Sequence, residues 1–245
     1  MFDSNPVLNE RTFSGLSRTS GDVMTIDGTV NKSGLLVLGA ILTAALSWNA
    51  TITNPAAGGG LAILGLVVGL VASLILVFKQ SWAPVLAPVY ALAEGCLLGA
   101  ISSFFNAKYQ GIAFQAAGLT LGVLGVMLVL YRTGVLRATE KFVTVLMAAT
   151  GAIALLYLVN MVMGLFGTRI PMIHESGPVG IGFSLIVVAI ASLNLIMDFA
   201  MIESGVRRGA PKYMEWYAGF SLLVTLVWVY LEMLKLLSKL NNNRR

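Results

Sequence analysis

Residues 84–101 read PVLAPVYALAEGCLLGAI, a run that is apolar throughout except for one acidic side chain, Glu94. At about 1.5 Å of rise per residue, a helix of this length spans most of a hydrocarbon core about 30 Å thick. An acidic side chain in that core is unfavourable by about 2.5–3.5 kcal/mol even on the lenient insertion scale. Asp198 and Glu232 interrupt two later apolar stretches in the same way. The sequence therefore predicts membrane-spanning helices around an acidic internal site.

The composition assigns the chain to the integral membrane proteins. Hydrophobic residues make up 57% of the 245 positions and charged residues only 11%, whereas a soluble domain carries about 25% charged residues. The net charge of +5 comes from basic residues that flank apolar segments, so nucleic acid is not expected as a partner. We predict a domain in the lipid bilayer (33–240) between a flexible polar N-terminal tail (1–32) and a short polar C-terminal tail (241–245).

Seven apolar segments are long enough to cross the hydrocarbon core as helices. They cover approximately residues 33–49, 60–78, 82–105, 111–131, 141–166, 178–203 and 218–238. Three of them contain small residues at four-residue spacing, which lets helix backbones approach closely. These pairs are Gly65 and Gly69, Gly95 and Gly99, and Gly118 and Gly122. The predicted fold is all-α, a polytopic bundle of seven transmembrane helices.

No enzyme motif is found in the sequence. Patterns such as GxxxxGK[ST], GxSxG, HExxH and CxxC are missing, and we do not expect catalytic activity. With Cys96 as the only cysteine and His174 as the only histidine, neither a disulfide nor a transition-metal site is expected. We also expect no cofactor.

The candidate functional residues are the polar side chains inside the predicted helices. They are Glu94, Asn160, Asn194, Asp198, Glu203 and Glu232. Glu94 follows Trp82 by 12 residues, which places it near the middle of the bilayer. Asn194 and Asp198 are four residues apart and share one helix face.

Two of these carboxylates have an alternative structural interpretation. Glu203 lies close to Arg207 and Arg208, and an interfacial ion pair is favoured there over a role in a pore. Glu232 has Lys235 three residues on, so a local ion pair competes with a functional role. Asp198 and Glu94 have no basic residue within one turn.

Facing carboxylates supply a possible chemistry. In a low dielectric two such groups cannot both ionise cheaply, so they share a proton and respond to pH. When deprotonated, their oxygens are hard ligands suited to transient contact with Ca²⁺. The same residues can therefore sense protons and admit calcium.

Three stretches of the sequence resemble motifs of a known family. The stretch 194–199 (NLIMDF) resembles the penultimate-helix aspartate motif of the Bax inhibitor-1 family (TMBIM, YccA-like). The stretch 229–237 (VYLEMLKLL) resembles the family's final helix with Glu in place of Asp, and 94–102 (EGCLLGAIS) its third-helix glycine segment in a bacterial branch. The resemblance implies a bundle with the last helix central, in a bacterial plasma membrane. It also implies a pH-sensitive calcium leak gated by Asp198 and Glu232.

The 34-residue separation of Asp198 and Glu232 is longer than the resemblance leads one to expect. If the last helix began at Lys212, the two carboxylates would lie at different depths. We therefore predict that residues 211–219 lie along the interface, with the crossing starting near Phe220. In that arrangement Glu232 would come close to the depth of Asp198 and of Glu94.

Two functions follow from these interpretations. The first is a pH-sensitive calcium leak channel gated by protonation of Asp198, Glu232 and Glu94. The second is a non-enzymatic interaction protein that modulates a membrane protease or another membrane complex, as some bacterial relatives are thought to do.

The distribution of basic residues predicts a cytoplasmic N-terminus. The N-terminal tail and the second, fourth and sixth loops carry Arg11, Arg18, Lys32, Lys79, Arg132, Arg137, Lys141, Arg207, Arg208 and Lys212. The opposite loops carry Lys108 and Arg169, and the Lys/Arg-rich side stays in the cytoplasm. Basic residues after 234 leave open whether the last helix crosses fully or re-enters.

A reporter fusion tests this orientation. We expect an enzymatic reporter placed after Arg137 to be active in the cytoplasm and one placed after Arg169 to be active outside. The reverse labelling would contradict the orientation.

Overall fold

The computed structural model describes residues 23–167 and 175–243, which are mostly helical. Within these residues the main helices are α1 (Ile26–Thr53), α2 (Pro55–Phe78), α3 (Ala83–Lys108), α4 (Ile112–Arg132), α5 (Glu140–Leu165), α6 (Pro178–Arg207) and α7 (Met214–Asn243). A 3₁₀ turn, Gln80–Trp82, precedes α3. All seven helices are long and apolar enough to cross a membrane. The predicted all-α polytopic membrane fold is therefore confirmed.

Capping residues start the first two helices earlier than predicted. The side chain of Thr25 accepts a hydrogen bond from the Gly28 backbone N–H at 3.0 Å, and α1 begins at Ile26. The segment expected to be a flexible tail, 1–32, is thus helical from Ile26 onward, while residues 1–22 lie outside the described residues. Asn54 caps α2, and Pro55 occupies its first turn, where a missing N–H has no consequence.

The last helix corrects a second prediction. α7 begins at Met214 and runs unbroken to Asn243, so residues 214–219 belong to the last helix and do not form a separate segment before it. Tyr217, which lies within the segment predicted to follow the interface, is fully buried. The sequence reasoning failed because it took an aromatic and charged segment for an interface, whereas the charge of Glu215 is compensated inside the protein.

The chain divides into two compact units. The α1–α3 unit contains described residues 23–110 and 198–224. In it α3 packs against both α1 and α2. The segment before α1 meets the loop between α6 and α7, where the Met24 backbone N–H donates to the Ala210 carbonyl at 2.7 Å.

The α4–α5 unit contains described residues 111–167, 175–197 and 225–243. A small core forms where Val143 and Leu146 of α5 lie with Met197 of α6. Polar contacts also occur within this unit, including a hydrogen bond from the Asn194 amide to the Thr150 hydroxyl at 3.0 Å.

Burial differs strongly among the helices. In its most apolar window α7 is 61% buried, whereas the values for the other six lie between 17% and 50%. Large apolar side chains on α1, α2 and α5 are exposed, as expected for surfaces in contact with lipid. The last helix is thus the most enclosed of the seven.

The predicted glycine pairs differ in whether another helix lies against them. A Cβ atom at Gly99 of α3 would overlap the backbone of Ala44 on α1, and one at Gly95 would overlap the Ala40 carbonyl. The prediction of a close helix contact is therefore confirmed for α3. Gly118 and Gly122 of α4 have no neighbour within 4 Å among the described residues, so that prediction is wrong for α4.

This contrast gives a matched stability test. Gly99→Ala should lower the unfolding free energy by about 1–3 kcal/mol, because the added methyl forces α1 and α3 apart. Gly118→Ala should be neutral or stabilising by up to about 1 kcal/mol, because alanine favours the helix and meets no neighbour. Thermal unfolding of the purified protein measures both, and equal losses would contradict the packing of α3 on α1.

Candidate functional site

Two buried carboxylates in the α1–α3 unit are connected to the same turn of α7, Asp198 directly and Glu94 through Tyr90. Asp198 of α6 is 6% exposed, and the Ser221 hydroxyl donates to its Oδ1 at 3.0 Å. Glu94 of α3 is 9% exposed and is hydrogen-bonded to Tyr90, one turn earlier. The ring of Tyr90 packs edge-on against Phe220 with centroids 4.8 Å apart. Asp198 and the tyrosine that contacts Glu94 therefore meet successive residues of α7, and we call Asp198, Glu94 and these contacts the polar layer.

A glycine makes room for this layer on α2. A Cβ atom at Gly69 would lie 3.3 Å from Glu94 Oε2, which is tighter than ordinary contact. The small residue at this position therefore leaves space for the carboxylate inside the helix interface.

Glu232 lies in the α4–α5 unit with different partners. It is 1% exposed, and its Oε1 accepts hydrogen bonds from the Tyr157 hydroxyl and from Lys235 Nζ, each at 2.9 Å. The local Glu–Lys ion pair considered as the alternative for this residue is thus present. A nearby lysine, Lys239, donates to the Gly180 carbonyl and the Ser184 hydroxyl.

Asp198 and Glu232 have different hydrogen-bond partners: the Ser221 hydroxyl for Asp198, and Tyr157 and Lys235 for Glu232. That the two carboxylates share a proton stays a prediction.

The secondary candidates have structural partners or partial burial. Asn194 donates to Thr150 Oγ1 and to the Ile190 carbonyl, the latter at 2.8 Å. Glu203 lies 3.7 Å from Arg207, and their side chains are 44% and 70% exposed, so the expected ion pair is present. Asn160 is half-buried.

Sequence reasoning missed a further buried acid, Glu215. Its side chain is fully buried and accepts hydrogen bonds from the Thr25 backbone and hydroxyl, both at 2.9 Å. It also forms ion pairs with Lys32 of α1 and with Lys212 at 3.1 Å. The i,i+3 spacing of Lys212 and Glu215 was the available signal, whereas the contact with Lys32 spans most of the chain.

No group of three or more His, Cys, Asp or Glu side chains able to hold a metal ion occurs in residues 23–167 and 175–243. His174 lies outside the described residues. Calcium binding by Asp198 and Glu232 accordingly stays a prediction of transient contact.

Seven membrane-length helices and several buried carboxylates define an integral membrane protein with polytopic topology. The family model described as Bax inhibitor 1 like matches residues 5–242. The chain therefore belongs to the Bax inhibitor-1 family, as its motifs indicated. No curated protein matches the chain.

The ion pairs allow a comparison of a buried and an exposed acid. Glu215→Ala should lower the unfolding free energy by about 3–5 kcal/mol, because it leaves Lys32 with an uncompensated charge in a largely buried position. Glu203→Ala should change it by at most about 1 kcal/mol, because its pair with Arg207 is solvated. Thermal unfolding in detergent provides the measurement. Similar effects of the two substitutions would show that the Glu215 contacts contribute no more than a surface pair.

Proposed function

We propose that this protein is a pH-sensitive calcium leak channel of the Bax inhibitor-1 type. Protonation of intramembrane carboxylates closes the path for cations, and deprotonation opens it. Asp198 and Glu94 form the proton-sensing layer, and Glu232 lies on the ion pathway.

The observation that carries this proposal is the chemistry of the groups that hold Asp198 and Glu94. Hydroxyl groups, those of Ser221 and Tyr90, contact the two carboxylates. A hydroxyl donates to an ionised carboxylate and accepts from a protonated one, so these contacts suit both protonation states. The ammonium group that contacts Glu232 can donate a hydrogen bond but cannot accept one.

The polar layer also explains how a proton could change conformation. Tyr90 links Glu94 to Phe220, and Ser221 links the next position of α7 to Asp198. When both acids ionise in a low dielectric, their mutual repulsion and their need for water favour a hydrated, separated arrangement. Protonation removes the repulsion and allows the helices to close on the layer.

The protein lies in a bacterial plasma membrane with its N-terminus in the cytoplasm, and it is a channel and not an enzyme. Calcium is the permeant ion and not a cofactor, and it contacts Asp198 and Glu232 only transiently.

Calcium flux into liposomes tests this proposal. The purified wild-type protein should leak calcium increasingly as the pH rises. Asp198→Asn and Glu94→Gln should each flatten or shift that dependence, and the double variant should add little to either. Non-additivity corresponding to about 0.5–3 kcal/mol is expected for residues that act as a unit.

Two further comparisons show which carboxylates act together. Glu203→Gln, at the exposed ion pair, should leave the pH dependence unchanged. If Asp198 acts with Glu94, the effects of Asp198→Asn and Glu232→Gln on the pH dependence of the flux should add. If instead only this pair is non-additive, the result would support the predicted Asp198–Glu232 switch. Wild-type midpoints in every single variant would reject all three carboxylates as sensors.

The same assay separates the alternative function. A protein that only binds and restrains a membrane protease or another membrane complex leaves liposomes tight at every pH. Tight vesicles containing correctly inserted, folded protein would therefore reject the channel and favour the interaction protein.

A further inference from the structure

The surroundings of Glu232 form a half-occupied cation site. Both of its hydrogen-bond donors, Tyr157 Oη and Lys235 Nζ, contact Oε1. The other oxygen, Oε2, is buried and has no hydrogen-bond partner among the described residues. Buried carboxylate oxygens are rarely left in this state, and one explanation is a site for an ion or water.

Lys235 already places a cation at this site. Its ammonium lies 2.9 Å from Glu232 Oε1 and 4.5 Å from the centroid of the Tyr157 ring. A carboxylate on one side and an aromatic face on the other are both attractive to a positive charge. The site therefore has the features needed to stabilise a cation.

The lysine is poorly confined, unlike the acid that it contacts. The side chain of Lys235 is 45% exposed, whereas that of Glu232 is 1% exposed. A long lysine near a helix end can also extend its ammonium toward the membrane interface. The structure shows the ammonium over Glu232, and the exposed side chain leaves room for it to move away from the carboxylate.

The second lysine in this region is held elsewhere. Lys239 is 8% exposed and donates to the Gly180 carbonyl at 2.9 Å and to Ser184 Oγ at 2.8 Å. Its charge acts on the same region, but its hydrogen bonds fix it on α6. Lys235 is therefore the lysine that contacts the carboxylate.

We propose that Lys235 is a tethered cation that occupies the Glu232 site and competes there with a permeant inorganic cation such as Ca²⁺. An incoming ion binds the carboxylate when the ammonium moves away. The lysine thereby lowers the apparent affinity of the site and limits the leak. This inference rests on Glu232 lying on the ion pathway of the proposed function, but its test measures binding and not flux.

Terbium luminescence tests the competition. Tb³⁺ replaces Ca²⁺ at oxygen sites, and tyrosines or tryptophans near a bound ion sensitise its emission. Compared with the wild type in detergent, Lys235→Met should bind Tb³⁺ at least about tenfold more tightly if the ammonium occupies the site about nine-tenths of the time. Added Ca²⁺ should displace the bound terbium.

Matched variants identify the carboxylate and the charge. Glu232→Gln together with Lys235→Met should abolish the gain, and Lys235→Arg should keep binding at or below the wild-type level. Lys239→Met should reproduce little of the gain. Unchanged affinity in Lys235→Met, or a gain that survives Glu232→Gln, would overturn the proposal.

A chemical rescue covers the case in which Lys235→Met does not fold. Lys235→Cys in a Cys96→Ser background is purified with an aminoethyl group attached through a disulfide, which restores an ammonium near its original place. Reduction of the folded protein should then raise terbium affinity, and re-attachment should lower it, whereas a neutral attached group should not. Insensitivity to reduction would reject the competition. A liposome assay without any leak, combined with the expected terbium results, would reject the channel and the effect of Lys235 on the leak, and would keep the competition between Lys235 and a cation at Glu232.

Discussion

A carboxylate removed from water must be held by donors or cations, and this constraint organises the buried polar contacts of the protein. Glu215 is held by two lysines and by the start of α1. Glu232 is held by a tyrosine and a lysine, and Asp198 is contacted by a serine hydroxyl. The apolar surfaces of the helices are satisfied equally well by lipid, so these polar contacts specify how the helices associate.

The last helix supplies a disproportionate share of these contacts. Glu215, Ser221 and Glu232 follow one another along α7, and their partners lie on α1, α6 and α5 respectively. This explains why α7 is the most buried helix although it is not the most apolar one. In a membrane, a helix that carries charges must be enclosed by protein, because lipid offers no compensation.

The buried acids differ in a way that bears on function. Glu215 and Glu232 have ammonium partners, which donate hydrogen bonds but do not accept them. A hydroxyl partner, as at Asp198 and Glu94, accommodates either protonation state. In the proposed channel, the pH response is therefore assigned to Asp198 and Glu94, and cation binding to Glu232, whose lysine partner is 45% exposed.

The sequence by itself determined the membrane class, the seven helices and the family, and it singled out Glu94, Asp198 and Glu232, which are buried in the structure. Hydrophobic runs, helix-breaking residues and acidic residues in apolar stretches are local properties of the sequence. Insertion into the bilayer depends directly on these properties. It also indicated the local Glu232–Lys235 and Glu203–Arg207 pairs, which are set by helical spacing.

Only the tertiary structure decided which glycines carry helix contacts, where α7 begins and what surrounds each acid. Gly99 and Gly118 occupy the same kind of sequence pattern, yet a neighbouring backbone lies against only the first. Glu215 looked like part of an interfacial segment because its main partner, Lys32, is 183 residues away. Partners so distant in the chain are brought together only by tertiary packing. The local sequence therefore does not show that Lys32 compensates the charge of Glu215 and allows this segment to be buried.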